Sequence, residues 1–179
     1  VNVFTRTAFG GRAVPRLQYC GGGQRRLGEQ PCDNDSIRLE KEIVRVGYFV
    51  NAQYLPEESM PGKARESVEQ VKAAREAGFD LICAGQHYLS APYQMSATFP
   101  LLARLAAEAE DMEVASTVVL LPLHNPVDLA ESVATMDAIC GGRFIFGIGL
   151  GYRDEEYAAF GVERAQRVDR MEECLEVMK

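Results

Sequence analysis

Four apolar runs, at 44–50, 80–84, 114–121 and 143–148, each lead into a stretch of helical periodicity, and this beat constrains the fold more than any other feature. Strand–helix–strand repeats of that length place successive strands parallel with right-handed crossovers. Strands covered on both faces read as continuous apolar stretches, as these four do. The expected class is α/β. The first helix carries Ala64, Val68, Val71 and Ala74 at helical spacing, with Gly78 placed to end it in a left-handed turn. The second opens at Thr98 with Pro100 in its first turn and presents Leu101, Leu102 and Leu105. The third starts at Asn125-Pro126 and shows Ala130, Val133 and Ala134 on one stripe. Asp137 continues that stripe, and an ion pair with Arg143 is the expected partner for a carboxylate tucked against the core. The last helix, 164–178, is a solvated face over a narrow apolar stripe.

Composition excludes several functional classes. A net charge of −7 over 179 residues argues against nucleic acid or an anionic membrane as partner, because both demand a basic face. The longest apolar run, 114–123, is broken by Ser116, Thr117 and Pro122 and is too short to span a bilayer. Cys20, Cys32, Cys83, Cys140 and Cys174 are odd in number and form no C-x-x-C pair, which implies free thiols, no metal site and a cytoplasmic setting. Residues 1–43 stand apart: Arg6, Arg12, Arg16, Arg25 and Arg26 precede the first acidic residue, Glu29, and Gly21-Gly22-Gly23 breaks any helix. They are expected to be a disordered or foreign segment ahead of a domain at 44–179.

Ligands of parallel α/β folds bind at the carboxyl ends of the strands. There the chain offers Asn51, Gln53 and Tyr54, then Gln86, His87 and Tyr88, then His124 and Asn125, and finally Gly149, Gly151 and Tyr152. His87 is the best candidate for chemistry, since imidazole exchanges protons near neutral pH; a hydrogen-bonded structural histidine is the competing reading. His124, between Pro122 and Pro126, reads as shaping a turn. Gly147, Gly149 and Gly151 resemble a nucleotide loop, but their G-x-G-x-G spacing lacks the second intervening residue of the dinucleotide fingerprint. A nicotinamide-binding Rossmann domain would further need an acidic ribose ligand at a strand end; Asp169 has the right separation but falls on an expected helix.

Taken together, Ala84-Gly-Gln-His-Tyr88, Leu120-Leu-Pro-Leu-His-Asn-Pro126, Ala134-Thr-Met-Asp137 and the run from Gly141 to Tyr157 resemble the bacterial luciferase-like flavin-dependent monooxygenases, in order and in spacing. The resemblance implies the first half of a (β/α)8 TIM barrel, about four βα units, ahead of which 1–43 would be disordered. It implies His87 as the active-site histidine, in a Gln86-His87-Tyr88 setting where the family has Glu-His-His. It places a non-prolyl cis peptide at Thr117-Val118 beneath a flavin ring, and a cofactor contact surface at Ser116, Thr117, Val118, Gly149 and Gly151. Gly149 and Leu150 fall where bacterial luciferase has a reactive cysteine and a basic residue, so the light-emitting branch is not expected. The implied cofactor is reduced FMN, acting with molecular oxygen on a small-molecule substrate and supplied by a flavin reductase. A deazaflavin coenzyme, passing hydride, is the alternative. Since the family's flavin-phosphate contacts lie mostly in its second half, the chain is expected to be a fragment with little activity alone, or a non-catalytic half-barrel that pairs with a partner or as a homodimer.

Overall fold

The computed structural model describes residues 3–6 and 45–179. Four parallel strands form the sheet: β2 (Gly47–Phe49), β4 (Leu81–Ala84), β6 (Glu113–Leu120) and β7 (Phe144–Gly149). Their register is continuous across the sheet, with Tyr48 beside Ile82, Ile82 beside Val114 and Val114 beside Phe144. A further strand, β1 (Val3–Arg6), runs antiparallel along the outer side of β7, giving the order β1-β7-β6-β4-β2. The remainder of the 1–43 segment, and with it the expectation of disorder there, lies outside the described residues.

Each strand feeds a helix as the sequence beat requires. Helix α1 (Met60–Glu76) begins where the Ser59 hydroxyl accepts from Gly62 N–H, and ends before Gly78, whose φ of +81° suits glycine. It buries Ser67, Val68, Val71 and Ala74, while the expected Ala64 stays exposed, so the inward stripe is rotated slightly. Helix α2 (Thr98–Ala109) buries Leu101, Leu102, Leu105, Ala106 and Ala109 against the sheet. Helix α3 (Pro126–Ile139) is capped by Asn125, whose carbonyl accepts from Val127 and Asp128 N–H, with Pro126 opening the first turn. Its buried residues are Leu129, Val133, Met136 and Asp137, so Ala130 and Ala134 fall only at the edge of the stripe. Two helices follow β7: the short α4 (Asp154–Ala159), and α5 (Arg167–Met178), which packs Met171 and Cys174 into the core.

The Asp137–Arg143 pair is not formed. Arg143 turns its guanidinium to the Glu110 and Met112 carbonyls, acceptors left over where α2 gives way to β6. Asp137 is buried with its Oδ1 lacking a hydrogen-bond partner. A C-terminal helix end presents partial negative charge to a cation within reach, and here that competes successfully with the carboxylate. The sequence reading also lacks the two-stranded antiparallel ribbon of β3 (Gln53–Tyr54) and β5 (Gln94–Met95), built over the carboxyl ends of β2 and β4. Gln94 fixes it by donating to the Leu55, Pro56 and Glu58 carbonyls. Its strands are too short to carry a hydrophobic period.

Candidate active site

At the carboxyl ends of the strands the loops enclose a cavity of about 650 Å³. A second cleft, about 690 Å³, lies at the opposite end, but its charges are spent on one another in pairs such as Arg45–Glu113 and Arg75–Glu110. The carboxyl-end cavity is different: its lining includes His87, Arg164 and Arg167 and no carboxylate, in a chain of net charge −7. Arg164 is already paired with Asp154 at 2.7 Å, so Arg167 is the guanidinium most open to an anionic ligand.

The floor is backbone. The Thr117–Val118 peptide is cis and non-prolyl, both residues line the cavity, and the β6–β7 register shifts between Ser116 and Val119. Gly149 and Gly151 line the adjoining wall, Gly151 with φ of +79°, and Gly85 lies so close that a Cβ there would meet the Thr117 carbonyl at 3.2 Å. Glycine at these points lets a flat ligand approach the backbone. Ser116 does not join them: its hydroxyl is fully buried and engages Gly147, accepting from N–H at 3.0 Å and donating to C=O at 3.1 Å. The bulge at Thr117–Val118 withdraws the ladder bonds Gly147 would otherwise receive, and the serine replaces them.

His87 lines the cavity just past β4. Its Nδ1 lies 3.0 Å from Oε1 of Glu156 in α4, a side chain with no solvent exposure. That oxygen also accepts the Tyr88 N–H at 2.8 Å, and Arg153 stands 3.6 Å from it while donating to the Tyr88 and Leu89 carbonyls. Tyr152 meets the imidazole edge-on at 5.8 Å between ring centres. Beneath, Gln86 is buried and its Oε1 accepts from Leu120 N–H and from His124 Nε2. Burial holds His124 below the usual imidazole range, with Asp128 pulling weakly the other way, and burial likewise raises the Tyr88 phenol. His124 thus braces the β4 lip rather than facing a ligand, and the Gln86-His87-Tyr88 setting is internally satisfied.

Sequence reasoning missed Glu156, Arg164 and Arg167. A signal for Glu156 exists: it adjoins Tyr157, which is buried and donates from its hydroxyl to the Leu150 carbonyl, so α4 turns this carboxylate inward with it. Asp169, the ribose ligand a Rossmann reading needs, sits exposed in the first turn of α5 instead of at a strand end. Among the described residues, no group of three or more metal-ligating side chains occurs, Cys83, Cys140 and Cys174 are free thiols, and no helix is long and apolar enough to cross a membrane.

A parallel βα sheet with its candidate site at the carboxyl ends of the strands is part of a (β/α)8 barrel. Residues 44–179 match the family model for luciferase-like monooxygenases, and the chain belongs to that family. The alkanal monooxygenase alpha chain of the Kryptophanaron alfredi symbiont is 24% identical over 135 residues, covering 75% of this chain and 38% of its own length. Among solved structures, the oxygenating constituent of 3,6-diketocamphane monooxygenase from Pseudomonas putida, in complex with FMN, superposes with a TM-score of 0.69 at 21% identity, covering 76% of this chain and 38% of that one. An F420-dependent secondary alcohol dehydrogenase, in complex with an F420-acetone adduct, superposes with a TM-score of 0.62 at 19% identity, covering 75% and 40%. The chain therefore spans about two fifths of the length of these relatives.

Proposed function

We propose that the chain carries the histidine-bearing half of a flavin-dependent monooxygenase that uses reduced FMN and molecular oxygen to oxidise a small organic substrate. The observation that carries this reading is the meeting, in one cavity, of His87, a backbone floor at Thr117–Val118, Gly149 and Gly151, and two arginines, of which Arg164 is paired with Asp154 and Arg167 has no carboxylate partner among the described residues. These residues fit a flavin. The floor would hold the flat ring, and Arg164 and Arg167 its phosphate, which guanidinium groups recognise through charge-assisted hydrogen bonds.

Bound reduced flavin supplies the electrons and the site of oxygen activation. The chain supplies the rest. Phe49, Met95 and Leu120 make one side of the cavity apolar, which strengthens polar contacts by excluding water. His87 holds or moves the proton that the oxidation requires, through the ring nitrogen that Glu156 does not engage. A separate flavin reductase would deliver the reduced cofactor. Transfer of hydride with a deazaflavin coenzyme is the second reading, favoured by the likeness in fold to the F420-dependent dehydrogenase and by the same arginine pair, which suits either phosphate.

Titration of the protein with FMN, riboflavin and a deazaflavin, followed by flavin fluorescence, separates these readings. Binding of FMN in preference to riboflavin, with oxygen uptake when the bound flavin is reduced, is the expected result, its affinity limited by the phosphate contacts that the resemblance assigns to the family's other half. Preference for the deazaflavin without oxygen uptake selects hydride transfer, and no binding of any of the three refutes the proposal.

A further inference from the structure

Glu156 is a buried carboxylate that does not line the cavity and yet touches the candidate acid–base group. We propose that Glu156 is the positioning residue of the site, fixing His87 as the tautomer protonated at Nδ1 so that Nε2 is offered to the cavity as a proton acceptor. The proposal rests on the reading of His87 as the group that handles protons.

The hydrogen bonds decide which partner carries the proton. Oε1 of Glu156 already accepts the Tyr88 N–H at 2.8 Å, and the Arg153 guanidinium lies 3.6 Å away, so this oxygen is an acceptor held in a positive surrounding. A proton on Oε1 would have to compete with the Tyr88 N–H for the same atom. A proton on Oε2 would be a buried donor with nothing to receive it, because Oε2 has no hydrogen-bond partner. With the carboxylate ionised, Oε1 accepts both the Tyr88 N–H and the His87 Nδ1–H, the latter across 3.0 Å, beside the Arg153 guanidinium, and only Oε2 is left without a partner. A carboxylate that orients an imidazole in this way sets its tautomer and stabilises the charged ring when a proton arrives.

The carboxylate is itself held fast. Arg153 and Glu156 lie one helical turn apart, and Arg153 donates to the Tyr88 and Leu89 carbonyls at 2.8 and 3.2 Å, so α4 and the 87–89 loop are tied by main chain and side chain together. Leu89, whose carbonyl accepts from Arg153, has a φ of +49°. The closeness of His87 to Glu156 thus follows from how two loops are joined and does not depend on any bound molecule.

Nitrogen-15 spectra of the imidazoles test this without a cofactor. The chain holds two histidines, His87 and His124, so loss of one set of signals in His87→Gln assigns the other. In the neutral form, His87 should carry its proton on Nδ1. Glu156→Ala should move it toward Nε2, the tautomer preferred in water, and Glu156→Gln, whose amide oxygen still accepts, should leave it on Nδ1. A wild-type ring protonated at Nε2, or an unchanged ring in Glu156→Ala, overturns the proposal; should the alanine variant not fold, the wild-type and glutamine spectra decide. In turnover, Glu156→Gln should lower kcat about 10-fold or more, with KM held within about 2-fold. A changed KM at constant kcat counts against the positioning role. A protein with the Nδ1 tautomer that binds no flavin would sink the proposed function and leave this inference standing.

Discussion

Ser116 separates architecture from ligand binding more sharply than any other residue of the site. Its hydroxyl accepts from Gly147 N–H at 3.0 Å and donates to Gly147 C=O at 3.1 Å, at a point with no solvent exposure. Ser116→Ala removes both bonds, worth about 0.5–1.5 kcal/mol each, and strands a buried amide, for which a further 1 kcal/mol or more is typical, so the total is about 2–4 kcal/mol. With a urea dependence of about 2 kcal/mol per molar, the midpoint of unfolding should fall by roughly 1–2 M at unchanged slope. Circular dichroism during urea titration measures this, and flavin titration of the still-folded variant measures the other half. FMN affinity should stay within about 2-fold, since the hydroxyl does not line the cavity. A variant as stable as wild type, within about 0.5 kcal/mol, or one of native stability that no longer binds FMN, would refute the assignment of Ser116 to the sheet.

Three other expectations follow from the site. His87→Gln should lower turnover by about 100- to 10,000-fold, the usual worth of a positioned proton-transfer group, while FMN affinity changes little; retained turnover in stopped-flow assays would remove His87 from the chemistry. Arg167→Gln should weaken FMN by about 10- to 100-fold, the worth of a charged hydrogen bond, and leave riboflavin unaffected; equal loss for both ligands would show that the arginine does not meet the phosphate. His124 titrates below the ordinary imidazole range because it is buried. Its unfolded form takes up a proton near pH 6.5 while the folded form resists, so its contribution to stability is complete above about pH 6.5 and declines as the pH falls. Urea midpoints between about pH 7 and 5 should therefore fall less steeply in His124→Gln than in wild type, and parallel slopes would contradict the burial argument.

The parts of the fold legible in sequence are those with a strong local cause. Buried parallel strands must be continuously apolar, so β4, β6 and β7 could be located within a residue or two of Leu81–Ala84, Glu113–Leu120 and Phe144–Gly149. Asn125-Pro126 and Gly78 marked helix ends because a cap and a left-handed turn each need a particular side chain, or none. The cis bond at Thr117–Val118 came from family resemblance, and no local pattern would have revealed it. What stayed hidden depends on contacts between distant elements. Glu156 reads as one of three acids at a helix start, and only its 69-residue reach to His87 gives it a role. The Asp137–Arg143 pairing failed for a related reason, since the carbonyls that capture Arg143 belong to another βα unit.

The segment running from Gly149 to Arg167 carries two glycines of the cavity wall, Tyr152, the buried Glu156 and both rim arginines, and an Asp154–Arg164 pair at 2.7 Å closes it upon itself. Both candidate phosphate ligands, one glycine wall and the carboxylate that holds His87 are therefore written in one short stretch of chain. Such a stretch is a natural cassette: exchanging it between relatives would transplant cofactor grip and histidine orientation in one operation, whereas a single-residue insertion within it would throw all of them out of register.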